Sequence, residues 1–188
     1  MKLLRLLFLL LPLCTYADDY YWVNGSGNWA DLTHWATSSG GSTYHNTIPG
    51  SGDNIFFDGN SGTSAISVNI NVNTLYGKDL SFLPSAPAIT FLGNTLVLEL
   101  FGSVLLQSST SISNGYDVTW NLSGSGTHTI TTNGNELSRI KFNGTGSYTL
   151  MDSLTLSHEL EFYSGDFDAN EKKVRVRTLY GNLASTAD

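Results

Sequence analysis

The chain has 188 residues, of which 13% are charged and 40% hydrophobic, with a formal net charge of −7 and one cysteine. The length suits one domain or slightly more. The acidic balance disfavours nucleic acid and anionic membrane surfaces, which need clustered Lys and Arg, and a lone cysteine excludes an internal disulfide.

The first segment, MKLLRLLFLLLPLCTYADD, has the layout of a secretory signal peptide. Lys2 and Arg5 form a basic start, Leu6 to Leu13 a short apolar run, and Thr15-Tyr16-Ala17 a small-residue cleavage site before Asp18. The apolar run is too short to span a bilayer, which disfavours a membrane anchor and predicts no membrane insertion after cleavage. Cys14 follows Leu13, a poor fit to the small residue that a lipoprotein signal needs there. Cleavage after Ala17 leaves seven basic and sixteen acidic residues, a net charge of −9, and no cysteine. The plain reading of that charge is solubility.

Residues 18–65 differ from the rest of the chain. They hold Trp22, Trp29 and Trp35, separated by Gly- and Ser-rich turns, with strand character only at Tyr21-Trp22-Val23 and Asn54–Phe57. From residue 66 short strands succeed one another. Ile66 to Val72 alternates apolar and polar residues throughout, and Leu96–Leu100, Val118–Leu122, Ile140-Lys141-Phe142 and Leu160-Glu161-Phe162 repeat the pattern. Gly, Asn, Asp and Ser separate them, as turns require. No amphipathic helix of useful length is visible.

Two stretches echo each other. Residues 118–130, VTWNLSGSGTHTI, align at an offset of 20 with residues 138–150, SRIKFNGTGSYTL. Thr74-Leu75-Tyr76-Gly77 recurs as Thr178-Leu179-Tyr180-Gly181, 104 residues on, about five such periods. A β-sandwich explains many short strands but not a fixed period; a right-handed parallel β-helix explains both. The predicted fold is therefore all-β, a right-handed parallel β-helix (solenoid) with an aromatic-rich N-terminal cap: signal peptide 1–17, cap 18–65, rungs 66–188. Predicted inward residues are Val68, Ile70, Val72, Trp120, Leu122, Ile140, Phe142, Leu160 and Phe162. A solenoid has two raw ends that need covering. Nothing at Leu183–Asp188 reads as a second cap, so the expectation is the front of a longer protein.

The run Tyr21-Trp22-Val23-Asn24-Gly25-Ser26-Gly27-Asn28-Trp29, continuing through Ala30-Asp31-Leu32-Thr33-His34-Trp35, resembles the N-terminal region of large exported β-helical repeat proteins of Bacteroidetes, as does Ile48-Pro49-Gly50-Ser51-Gly52-Asp53-Asn54-Ile55-Phe56-Phe57-Asp58. That resemblance implies a surface or secreted, adhesin-like protein. It also implies, for a full-length relative, a C-terminal sorting domain read by the type IX secretion system, which these residues do not contain. It implies no particular activity.

Candidate chemistry is sparse. Tyr20, Tyr21, Trp22, Trp29 and Trp35 could stack on sugars, but the preferred reading is that they plug the end of the solenoid, each burying a large apolar area. Asp53 and Asp58, with Asp31, supply oxygen ligands for calcium, yet Asp53 after Pro49-Gly50-Ser51-Gly52 also suits a turn before a strand. His34, His45, His128 and His158 lack metal spacing, and the repeat makes His128 an outward position matching Tyr148. Asp166 and Asp168, or Glu159 and Glu161, could sit about 7 Å apart on one side of a strand, compatible with acid/base work on a glycoside. Paired acids on a strand are more often a solvated edge. No Ser/His/Asp set, phosphate-cradling loop or nucleophile elbow appears. Asn24, Asn121 and Asn143 match the N-glycosylation pattern, as chance allows in so Asn- and Ser-rich a chain. The expected role is structural or adhesive, non-enzymatic and without cofactor, with glycans or cell surfaces as possible partners. The alternative is a polysaccharide-binding or polysaccharide-degrading β-helix.

Overall fold

The computed structural model describes residues 17–93, 96–111 and 118–181. The signal-peptide reading of residues 1–16 lies outside them. Strands come in threes, one set per turn. The first turn carries β1 (Asp19–Trp22), β2 (Gly27–Asn28), a 3-10 turn at Leu32–His34, and β3 (Trp35–Ala36). Then follow β4 (Asn54–Phe57), β5 (Ile66–Asn69) and β6 (Thr74–Gly77), and next β7 (Leu80–Phe82), β8 (Ile89–Leu92) and β9 (Leu96–Leu100). The next turns are β10 (Val104–Leu105), β11 (Thr110–Ser111), β12 (Val118–Leu122), and β13 (Thr127–Thr131), β14 (Glu136–Leu137), β15 (Arg139–Phe142). The last are β16 (Ser147–Leu150), β17 (Leu154–Leu156), β18 (Glu159–Phe162), and β19 (Asp166–Asp168), β20 (Val174–Arg175), β21 (Thr178–Gly181).

Apart from β3, and with a break between β11 and β14, each strand pairs in parallel with its counterpart one turn away. One face is the eight-stranded sheet β19-β16-β13-β10-β7-β4-β1-β3, another the six-stranded sheet β21-β18-β15-β12-β9-β6. The third is split into β11-β8-β5-β2 and β14-β17-β20. The fold is thus an all-β parallel solenoid, as the echo predicts. Trp120 pairs with Ile140 and Leu122 with Phe142 in the 20-residue register. The period is not constant. Leu75, Leu98, Trp120, Ile140, Leu160 and Leu179 face one another across the six-stranded sheet, steps of 23, 22, 20, 20 and 19 residues. The two Thr-Leu-Tyr-Gly segments are β6 and β21, the opposite edges of that sheet, five steps apart.

The N-terminal segment closes the first end without forming a separate body. β1 pairs in parallel with β4, so the solenoid already runs through it, while β3 turns back antiparallel on β1, Trp22 facing Trp35. An edge strand that would otherwise offer unpaired N–H and C=O groups is covered. Trp22, Trp29 and Trp35 are each 0% exposed. Trp22 stacks on the His34 imidazole (4.5 Å, 8°) and meets Trp35 edge-on at 5.0 Å. His34 is fixed by its Nδ1–H donating to the Val23 carbonyl at 2.6 Å. The pile continues inward through Phe57, Phe82 and Phe91, Phe57 and Phe82 lying parallel at 4.8 Å.

Beyond the aromatics the core is Leu, Ile and Val from every turn, one contiguous cluster. Val68, Ile70, Trp120, Leu122, Ile140, Phe142 and Leu160 are buried as predicted. Val72 and Phe162 are only partly buried. For Val72 the reason is local: the expected strand Ile66–Val72 ends at Asn69, and the chain then bends toward β6. Phe162 belongs to a second aromatic group near the other end, parallel to Phe142 at 5.1 Å and tilted against Phe167 at 5.6 Å.

One prediction fails. The position of His128 and Tyr148 faces inward, not outward. It shares parity with Ile130 and Leu150, and Tyr148 is buried. The ring is tolerated there because its hydroxyl accepts the Gly124 N–H at 2.9 Å. Burial is the main cause that raises the Tyr148 pKa above the ordinary tyrosine value, outweighing that hydrogen bond. Tyr20 is raised chiefly for the same reason. A phenol with a raised folded-state pKa contributes stability that is complete below the unfolded value, about 10, and is lost as pH rises through the folded value. Thermal melting should therefore fall steeply above about pH 10, and Tyr148→Phe should flatten that limb. A melting temperature independent of pH between about 9 and 11 would refute this assignment.

Candidate functional site

Parallel stacking in register brings outward residues of successive turns into rows, spaced by about 4.8 Å from strand to strand. On the six-stranded sheet one row reads Tyr76, Glu99, Asn121, Lys141, Glu161, Tyr180. Beside it, two residues earlier on each strand, lies Val97, Thr119, Arg139, Glu159. At the corner after the strands comes Phe101, Ser123, Asn143, Tyr163, each donating its N–H to the preceding strand end.

The rows are cross-linked by side chains. Asn121 Nδ2 donates to Glu99 Oε2 at 2.7 Å, and the Ser123 hydroxyl donates to Glu99 Oε1. Lys141 Nζ lies 3.5 Å and Arg139 Nε 3.4 Å from Glu161 Oε1. Arg139 Nε also donates to Glu159. Tyr163 donates its hydroxyl to Glu161 Oε2 at 2.7 Å. That hydrogen bond first, and the Glu161 charge second, raise the Tyr163 pKa above the ordinary tyrosine value. Across the two rows the cations Arg139 and Lys141 are paired with Glu159 and Glu161, and Glu99 is held by the Asn121 amide and the Ser123 hydroxyl.

A hollow of about 380 Å³ opens between these rows, lined by Val97, Thr119, Asn121, Lys141, Asn143 and Tyr163. A second, of about 360 Å³, lies on the other side of Tyr163 against Glu161, Tyr180 and Gly181. Tyr163 is 65% exposed, Tyr180 55% and Tyr76 45%. Asn121 Oδ1 is shielded from water and has no hydrogen-bond partner, an acceptor left without a donor.

The residues singled out in the sequence fall elsewhere. The Trp22, Trp29 and Trp35 rings offer no face to a sugar, because the cap fold covers each completely. Their indoles are structural: Trp22 Nε1 donates to Gly25 O at 2.7 Å and Trp35 Nε1 to Trp29 O at 2.8 Å. Asp53 accepts the Gly50 and Asp18 N–H groups, and Asp58 accepts the Asn60 N–H at 2.8 Å. Asp31 caps the 3-10 turn, and hydrogen bonds from the Thr33 hydroxyl and then its N–H lower its pKa. Among the described residues no group of three or more His, Cys, Asp or Glu side chains could hold a metal ion. Asp166 and Asp168 do share the outer side of β19, with Phe167 turned in, and Asp168 accepts the Asn170 N–H at 2.7 Å. Glu159 and Glu161 face basic side chains in the rows described. Tyr163 escaped sequence reasoning because it lies one residue past the Leu160–Phe162 alternation, at a corner whose direction only the turn geometry fixes.

No family model matches this chain, and no curated protein or solved structure matches it.

Proposed function

We propose that the chain is an exported structural and adhesive segment. It is a rigid solenoid that carries its binding contacts on the outer face of the six-stranded sheet. The observation that supports this reading most is the register of that sheet. Five successive steps keep one residue per turn in the same row, over a single uninterrupted apolar core. Such a stack gives a stiff, extended surface rather than a deep pocket. The resemblance of the Trp- and Gly-rich run to exported repeat proteins of Bacteroidetes, and the signal-like start, support export.

Two experiments test the reading. N-terminal sequencing of the mature protein should begin at Asp18. Beads coated with the chain should adhere to cells or polysaccharide films without releasing reducing ends. Release of soluble sugar that disappears in Asp166→Asn or Asp168→Asn would replace this reading with the enzymatic one.

A further inference from the structure

We propose that the groove along the Asn121, Lys141, Glu161 row binds a neutral, extended polysaccharide running across the strands, with one sugar ring seated on Tyr163. This deepens the adhesive reading and rests on it.

Three observations carry it. First, Tyr163 joins large exposure to a fixed pose. Its hydroxyl is tied to Glu161 at 2.7 Å, so the ring need not be ordered by a ligand. A Tyr ring offers a flat apolar face with a polar tip, suited to the apolar face and rim hydroxyls of a pyranose. It lies between two hollows of about 380 and 360 Å³, so a chain passing over it has room on both sides. Second, the groove's uncharged polar groups are the amides of Asn121 and Asn143 and the hydroxyl of Thr119. Each can both donate and accept, as a sugar hydroxyl does. Third, the cations are already answered: Lys141 and Arg139 face Glu161 and Glu159, and Glu99 leaves the rows with one carboxylate in excess. The groove holds no excess of cations for a polyanion, and the chain's net charge of −7 repels one. The row supplies one side chain per turn at a spacing of about 4.8 Å, close to the length of one pyranose ring. The ligand therefore runs along the solenoid axis.

Titration calorimetry on the full chain tests this. The probes are β-1,4-linked hexasaccharides of glucose, xylose, mannose and N-acetylglucosamine, with hexagalacturonate as the anionic arm. At least one neutral hexamer should bind with Kd below about 1 mM, and its trimer should bind more weakly. Tyr163→Ala should weaken binding about tenfold, while Tyr163→Phe, which keeps the ring but loses the hydroxyl tie to Glu161, should weaken it by about threefold. The side chain is exposed, and unchanged thermal melting will show both variants to be folded. Absence of binding by every neutral hexamer, preference for hexagalacturonate, or Tyr163→Ala binding like wild type would overturn the proposal. Bead adhesion that persists in Tyr163→Ala would sink the groove and leave the adhesive reading intact. Loss of all adhesion by the wild-type chain would sink that reading itself.

Discussion

Phe142→Lys will unfold the later turns and leave the earlier ones standing. Phe142 is 1% exposed and touches Tyr148, Phe162 and Phe167 at ring separations of 5.1–5.3 Å. An ammonium placed there has no carboxylate inside the core to meet it. Burying an unpaired charge costs several kcal/mol or more, comparable with the roughly 5–15 kcal/mol that holds a whole domain together. The loss of the aromatic contacts adds about 3–5 kcal/mol by analogy with large-to-small changes. A solenoid spreads damage to neighbouring turns rather than everywhere, because each turn contacts only the next. Hydrogen exchange should therefore show residues 136–181 losing protection while the Trp22, Trp29, Trp35 cluster keeps it. Leu122→Lys should behave alike, with its centre one turn earlier. Full protection of β15 and β18 in either variant would show that these side chains do not point inward.

Gly144→Ala will also destabilise the fold strongly, from a single methyl group. The glycines of the echo stack on one another at a corner of the solenoid. A Cβ on Gly144 would lie 2.2 Å from the Gly124 carbonyl oxygen and 2.7 Å from the Gly124 nitrogen. A Cβ on Gly146 would meet the Gly126 oxygen at 2.6 Å. These neighbours are backbone and cannot swing aside, so the turns must separate. Overpacking of that kind costs about 1–3 kcal/mol when side chains can shift, and more when they cannot. Gly52→Ala is the control, since nothing lies within 4 Å of its Cβ and its φ is not positive. Chemical denaturation should give a loss of at least about 3 kcal/mol for Gly144→Ala and under about 0.5 for Gly52→Ala. Equal effects would mean that the corner is not packed backbone on backbone.

These two positions show what was legible in the sequence. Trp120, Leu122, Ile140 and Phe142 announced both the strand and its inward side, because period-2 alternation and a repeat agree there. The glycines of Ser-Gly-Ser-Gly and Asn-Gly-Thr-Gly looked like turn residues, but their repeat spacing reflects contact between turns. The constant period of 20 was true only of the later turns; longer corners stretch the earlier steps to 22 and 23 residues without moving the strands out of register. His128 was misread because a polar residue in a repeat suggests an outward place, whereas Tyr148 fills the same place buried, its hydroxyl answered by a backbone N–H. The Trp residues were legible as the end plug, since large aromatics near a raw solenoid end are worth more inside, and their complete burial removes the sugar platform. The candidate groove was legible only in part. The 20-residue echo joins Asn121 to Lys141, but Tyr163 belongs to the corner row, and only the turn geometry brings its ring beside them.

The central claim is a stiff stack that keeps one residue per turn in a row. It is tested most directly by a spin-label distance between Tyr76→Cys and Tyr180→Cys in a Cys14→Ser background, which removes the only native thiol. Both tyrosines are exposed and stand at opposite edges of the six-stranded sheet, five strand steps apart although 104 residues separate them in sequence. Five spacings of about 4.8 Å place their backbones about 24 Å apart, and a single narrow distribution centred there is the expected result. A broad distribution, or a centre displaced by more than about two strand spacings, would contradict the stack and everything built on its outer face.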